Sequence, residues 1–101
     1  MIEHVKFTPS ADRQFLSLLE YIKADNPAAA RDLRKRVGDS FDNVCTFPAI
    51  GRVVPEFPDL GFREIIIRPY RFFYDVIGDT VWVIGAWHSA QIPKESPSVS
   101  D

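Results

Sequence analysis

Residues 62–87, FREIIIRPYRFFYDVIGDTVWVIGAW, pack three apolar runs and two turn signals into 26 residues, and no other stretch constrains the fold as tightly. Arg68-Pro69 breaks the first run from the second, because proline fixes φ and has no N–H to give to a ladder. Gly78-Asp79 separates the second from the third, with glycine first as a type II′ hairpin turn prefers. The stretch reads as an antiparallel meander. Counting outward from that turn pairs Ile77 with Thr80, Asp75 with Trp82, Tyr74 with Val83, Phe73 with Ile84, Phe72 with Gly85, Arg71 with Ala86 and Tyr70 with Trp87. Side chains alternate along a strand. One face therefore holds Arg71, Phe73, Asp75, Ile77, Trp82, Ile84, Ala86 and His88. The other holds Tyr70, Phe72, Tyr74, Val76, Val81, Val83 and Trp87.

Upstream, Val5 and Phe7 alternate with Lys6 in a short strand over residues 2–7, which stops at Thr8-Pro9-Ser10. Thr8 or Ser10 can cap a helix whose apolar stripe is Ala11, Phe15, Leu18, Leu19 and Ile22, with Gln14 among its solvated residues. Asp25-Asn26-Pro27 ends that helix and starts another, with Asn26 at the cap and Pro27 in the first turn, where a missing N–H costs nothing. Ala30, Leu33, Val37, Phe41, Val44 and Cys45 form the second stripe, and Phe47-Pro48 closes it. The two helices read as an antiparallel hairpin. Residues 48–61 then carry three prolines, two glycines and no period. A connection of that length in a small domain is either a working loop or a strap that tucks Ile50, Val53 and Phe57 onto the core.

At 101 residues the chain has room for one core. The expected fold class is α+β, with an N-terminal strand, an α-helical hairpin and a three-stranded antiparallel meander in a domain over residues 1–93. Residues 94–101 form a polar tail. No apolar run approaches the length of a membrane span, and Glu3 and His4 stand where a signal peptide would be basic, so a cytoplasmic protein is expected. Cys45 is the one cysteine. It excludes a disulfide framework and reads as a small buried hydrophobe. No metal site and no cofactor are expected.

The net charge of -2 and pI ≈ 5.6 argue against a wholesale nucleic-acid binder, which is normally basic. Arg31, Arg34, Lys35 and Arg36 nevertheless cluster on the second helix and are expected to contact an acidic target. Both sheet faces are apolar, and a helical hairpin covers one. The face with Tyr70, Phe72, Tyr74 and Trp87 is expected to stay partly open and to bind a partner segment. Arg71 and His88 fall on one side of the last two strands, an arrangement compatible with acid/base and phosphate-holding roles. Glu56 in the loop would complete a general-base set.

Four strings carry a resemblance: YIKADNPAAARDL at residues 21–33, FPAIGRVVPE at 47–56, FREIIIRPYRFFYDV at 62–76 and VIGAWHSAQIP at 83–93. Their order and spacing resemble the RelE/ParE superfamily of type II toxin-antitoxin toxins over nearly the whole chain, and lean toward the ParE branch. The resemblance implies a helical hairpin on an antiparallel sheet, a cognate antitoxin as partner and a toxin-antitoxin hetero-oligomer. It also implies growth inhibition, by poisoning DNA gyrase as characterised ParE-like members do. The RelE-like alternative is a ribosome-dependent mRNA endoribonuclease. Glu56, Arg71 and His88 match parts of that catalytic set, but the tail lacks a tyrosine and has only Lys94 after the last strand. No catalytic residues are therefore expected on the ParE-like reading.

Overall fold

The computed structural model describes residues 2–91 and 96–99. Its elements are β1 (His4–Phe7), α1 (Pro9–Asp25), α2 (Pro27–Thr46), β2 (Arg52–Val53), β3 (Arg63–Ile67), β4 (Tyr70–Ile77) and β5 (Thr80–His88). They build one sheet in the order β1-β5-β4-β3-β2 with the helical hairpin on one face. β1 lies parallel to β5, and every other pairing is antiparallel.

The helix boundaries follow from local chemistry. Thr8 Oγ1 accepts the Ala11 N–H at 3.1 Å and Asn26 Oδ1 accepts the Ala29 N–H at 3.1 Å, each satisfying an amide that has no intrahelical partner. Proline follows each cap in the first turn. Asn26 is the only residue between the helices, so α2 folds straight back along α1. Their stripes meet the sheet through Phe15, Leu19, Leu33, Val37 and Phe41, with Phe72 and Tyr74 beneath. Edge-on ring contacts of 5.6 Å (Phe15–Phe72) and 5.9 Å (Phe41–Tyr74) lock this layer. Cys45 sits half-buried against it, and burial pushes its thiol pKa up.

Two expectations about the sheet are corrected. The Gly78-Asp79 turn forms as anticipated, with Gly78 at φ 62 and Ile77 opposite Thr80. The anticipated register also holds as far as Tyr74 opposite Val83, and then slips by one residue. A β-bulge leaves Ile84 extra, so Phe73 faces Gly85, Phe72 faces Ala86, Arg71 faces Trp87 and Tyr70 faces His88. Beyond the bulge Ala86 turns to the helices and Trp87 turns away from them. The Trp87 ring folds back over Gly85 onto Phe73, 4.7 Å between centroids, and a Cβ at Gly85 would collide with it. Gln14 is not a solvated residue. Its side-chain oxygen accepts the Ala86 N–H at 2.9 Å, on the stretch of β5 that β1 no longer covers.

The second correction concerns which face is open. Helices cover Phe72 and Tyr74, which are fully buried, so these two side chains present no surface patch. Both faces are almost equally apolar, and only the docking of the hairpin chooses between them. The opposite face is closed as well. Val54 and Phe62 pack on Phe73 and Ile84, and Phe57, Trp82, Trp87 and Val99 gather around this second cluster. The loop therefore behaves as a strap, although Ile50 and Val53 point largely to solvent and only Phe57 of the three expected residues packs inward. Of the expected tail, residues 96–99 are described and bring Val99 onto the strap cluster; Lys94 and the 93/94 boundary lie outside the described residues.

Candidate functional site

The strap is tied down by polar side chains that the sequence marks as chemistry. Tyr74 Oη donates to the Pro48 carbonyl at 2.8 Å and accepts the Gly51 N–H at 3.0 Å. Arg63 Nη1 donates to the Gly51 carbonyl at 2.9 Å. Gly51 has no room for a side chain, since a Cβ there would stand 2.7 Å from the Tyr74 ring and hydroxyl and from the Glu64 carbonyl. The Ile-Gly-Arg string is thus a clasp in which glycine admits the tyrosine and the arginine that follows it pairs with β3.

Arg71 is the centre of this clasp. Its Nε donates to Glu64 Oε1 at 2.6 Å and its Nη2 to Glu64 Oε2 at 3.2 Å. Nη1 and Nη2 reach the two oxygens of Glu56 at 2.8 and 2.7 Å. The guanidinium lies 5.1 Å from the centroid of the Phe73 ring. Arg52 Nε closes the group on Glu64 Oε2 at 2.8 Å. The Glu64 side chain has no exposure, that of Arg71 6% and that of Glu56 26%. Both carboxylates grip the fork bidentately, the strongest form of this pair, and hydrogen bonds from Arg71 hold Glu56 down at a pKa of about 2. The Arg71 pKa is raised still further beyond its ordinary value, first by Glu56 and then by Glu64. Such a guanidinium has little capacity left for a phosphate.

The structure brings together two members of the Glu56, Arg71, His88 set and separates the third. The bulge sets Arg71 and His88 on opposite faces. His88 lies edge-on to Tyr70 at 5.8 Å, its Nδ1 accepts the Ala90 N–H at 3.1 Å, and it is exposed. Among the described residues the Arg71 side chain bonds to no backbone carbonyl and not to Asp75, which accepts the Val76 N–H. Of the four expected partner-binding aromatics, only Tyr70 and Trp87 keep part of their surface, and they do so on different faces.

A family profile described as "ParE toxin of type II toxin-antitoxin system, parDE" matches residues 5–93. The chain belongs to the ParE toxin family. A solved structure titled "Chromosomal ParDE TA system from P. aeruginosa" shares 17% identity with it at a TM-score of 0.60, over 86% of this chain and 96% of that one, a likeness of fold. No curated protein matches in sequence.

In this ParE-family chain the expected basic cluster divides. Lys35 pairs with Asp39 at 2.8 Å and Arg36 with Asp32 at 3.8 Å, and Arg36 also donates to the Arg68 carbonyl. Among the described residues, Arg31 and Arg34 have no such partner. Sequence reasoning missed Glu64. Its signal was available: it is the lone carboxylate in an apolar strand, and extending the register across Arg68-Pro69 sets Ile66 against Arg71 and Glu64 one step beyond, on the same face. Glu3, His4 and Asp79 also bring one donor atom each within 4.8 Å of one another. All three are exposed where the β1 end hydrogen-bonds to the Asp79 carbonyl, so they form a wet strand edge. No helix among the described residues is long and apolar enough to cross a membrane.

Proposed function

We propose that this type II toxin acts without catalysis, by binding and inhibiting DNA gyrase in the cytoplasm, and that the C-terminal segment of its antitoxin neutralises it in a hetero-oligomeric complex. The observation that carries the non-catalytic reading is the state of Arg71, whose guanidinium is held by two carboxylates and faces away from His88. A phosphodiester-cleaving centre needs a cation free to stabilise developing charge, with an acid and a base within hydrogen-bond reach of one reacting atom. Glu56 is bound up in the clasp, and His88 is on the other face. Gyrase as the target rests on the resemblance to characterised ParE-like toxins, and the antitoxin on membership of a type II family.

The test is DNA supercoiling by purified gyrase with increasing toxin. Inhibition that a stoichiometric amount of the antitoxin encoded beside the toxin gene relieves is the expected result. Undisturbed supercoiling at high toxin excess, from protein that still arrests growth, would move the target elsewhere.

A further inference from the structure

The end of the chain comes back onto the strap face. Within residues 96–99, Pro97 is buried and Val99 half-buried, while Ser96 and Ser98 are exposed. That alternation is the period of an extended segment that lays one side on a surface and keeps the other in water. The segment is no part of the sheet. Val99 packs instead on the second apolar cluster, whose partly buried members include Phe57, Trp82 and Trp87. It is also the one aliphatic residue in residues 93–101, where every other position is proline, serine or charged. The side chain that a solvated polar tail would leave in water is thus the one set against aromatic rings.

The β-bulge makes this surface. It turns Trp87 onto the strap face beside Trp82, so that both indoles of the chain stand on one side of β5. Trp87 rests on Phe73, 4.7 Å between ring centroids, and the Lys6 ammonium lies 5.8 Å from the ring centroid of Trp82. Phe57 adds a third ring from the strap. Aromatic-lined surfaces of this kind suit proline-bearing extended segments, because the proline has fixed φ already and little freedom is lost on docking. Pro97 and Val99 lie two residues apart and so fall on the same side of an extended chain.

We propose that Phe57, Trp82 and Trp87 form a recognition surface for an extended segment bearing proline and valine, and that this chain fills it in cis with its own Pro97 and Val99. The contact is autoinhibitory: it closes the surface to other segments of that chemistry until the tail is displaced. Residues 92–95 tether the docked segment to the end of the sheet. Across so short a tether the effective concentration is on the order of millimolar. A free peptide that binds the vacated surface with a Kd of about 0.1 mM is then held back about tenfold by the attached copy. The contact lies within this chain and does not depend on which target the toxin inhibits.

The chain has two tryptophans, Trp82 and Trp87, so indole emission reads the surface directly. The experiment compares full-length wild type with Val99→Asp by emission wavelength and acrylamide quenching, with circular dichroism melts as a check on folding. Val99→Asp should move the emission to longer wavelength and make it easier to quench. Val99→Ser, which removes the same apolar group without adding charge, should do likewise. A dye-labelled synthetic peptide of residues 93–101, followed by anisotropy, should then bind Val99→Asp about tenfold more tightly than wild type. The same peptide carrying Val99→Asp should bind neither protein. Emission and quenching unchanged in both folded variants would overturn the docking of the tail. Equal peptide binding by wild type and Val99→Asp, or binding by neither, would overturn the recognition surface.

Discussion

Arg71 and Arg31 show how differently one residue type behaves on two surfaces of a small protein. Arg71 sits on the strap face with its charge matched by two carboxylates, one with no exposure. Arg31 sits on the outer seam of the helical hairpin, solvated and unmatched among the described residues. The first is built into folding, because a buried ion group is costly to break and contributes little until every member is present. The second costs the fold almost nothing and stays available to a partner. The sequence already points to a target contact for Arg31 and gives Arg71 a catalytic part only in the RelE-like alternative, but nothing in it shows that Glu64 grips Arg71.

The largest effect expected from this contrast is on stability. Arg71→Ala leaves the Glu64 carboxylate buried with only Arg52, and should destabilise the protein by roughly 3–5 kcal/mol. That is a fall in Tm of about 12 °C or more for a chain of this size. Arg31→Ala and Arg34→Ala should each stay within about 0.5 kcal/mol of wild type. Thermal melts followed by circular dichroism measure both, and equal Tm values for Arg71→Ala and Arg31→Ala would dissolve the distinction.

A smaller loss should follow from unfastening the strap at its other end. Tyr74→Phe removes the hydroxyl shared by Pro48 and Gly51 and should cost about 1–3 kcal/mol. Gly51→Ala forces a methyl group against the same ring and should cost about 1–3 kcal/mol. If the two residues act as one clasp, urea melts of the double variant will show less than the sum of the single losses. Full additivity would mean that the strap is held elsewhere.

The acid response is smaller again. The folded-state pKa of Glu56 is depressed to about 2 from an ordinary value of 4.5, so its contribution is fully present above about pH 4.5 and is lost as the pH falls toward 2. Once solvent screening is allowed for, its size is on the order of 1–2 kcal/mol. Glu56→Gln should lower stability at pH 7 and flatten the stability profile between pH 4.5 and 2. A profile parallel to wild type across that window would remove Glu56 from the clasp.

Much of the scaffold was legible because it follows local rules. Asn26-Pro27 marks a helix start, Gly78-Asp79 a turn, and both stripes recur at the helical period. The site was less legible for three physical reasons. The bulge at Ile84 leaves almost no trace in an apolar run except Gly85, yet it reverses Trp87 and Ala86 and parts Arg71 from His88. Two equally apolar sheet faces gave no local clue to which one the hairpin covers, so Phe72 and Tyr74 were expected on the open side. The approach of Glu56 to Arg71 depends on the path of an aperiodic strap, which no pattern in the sequence encodes.

Cleavage of mRNA on translating ribosomes is the measurement that bears most directly on Arg71 as a clasp. His88 is exposed at a strand end, so His88→Ala should fold as the wild type does. The account predicts that purified wild type and His88→Ala produce the same uncut message. Specific cleavage by the wild type that disappears in folded His88→Ala would contradict it, and would mean that the strap releases Arg71 and Glu56 for chemistry.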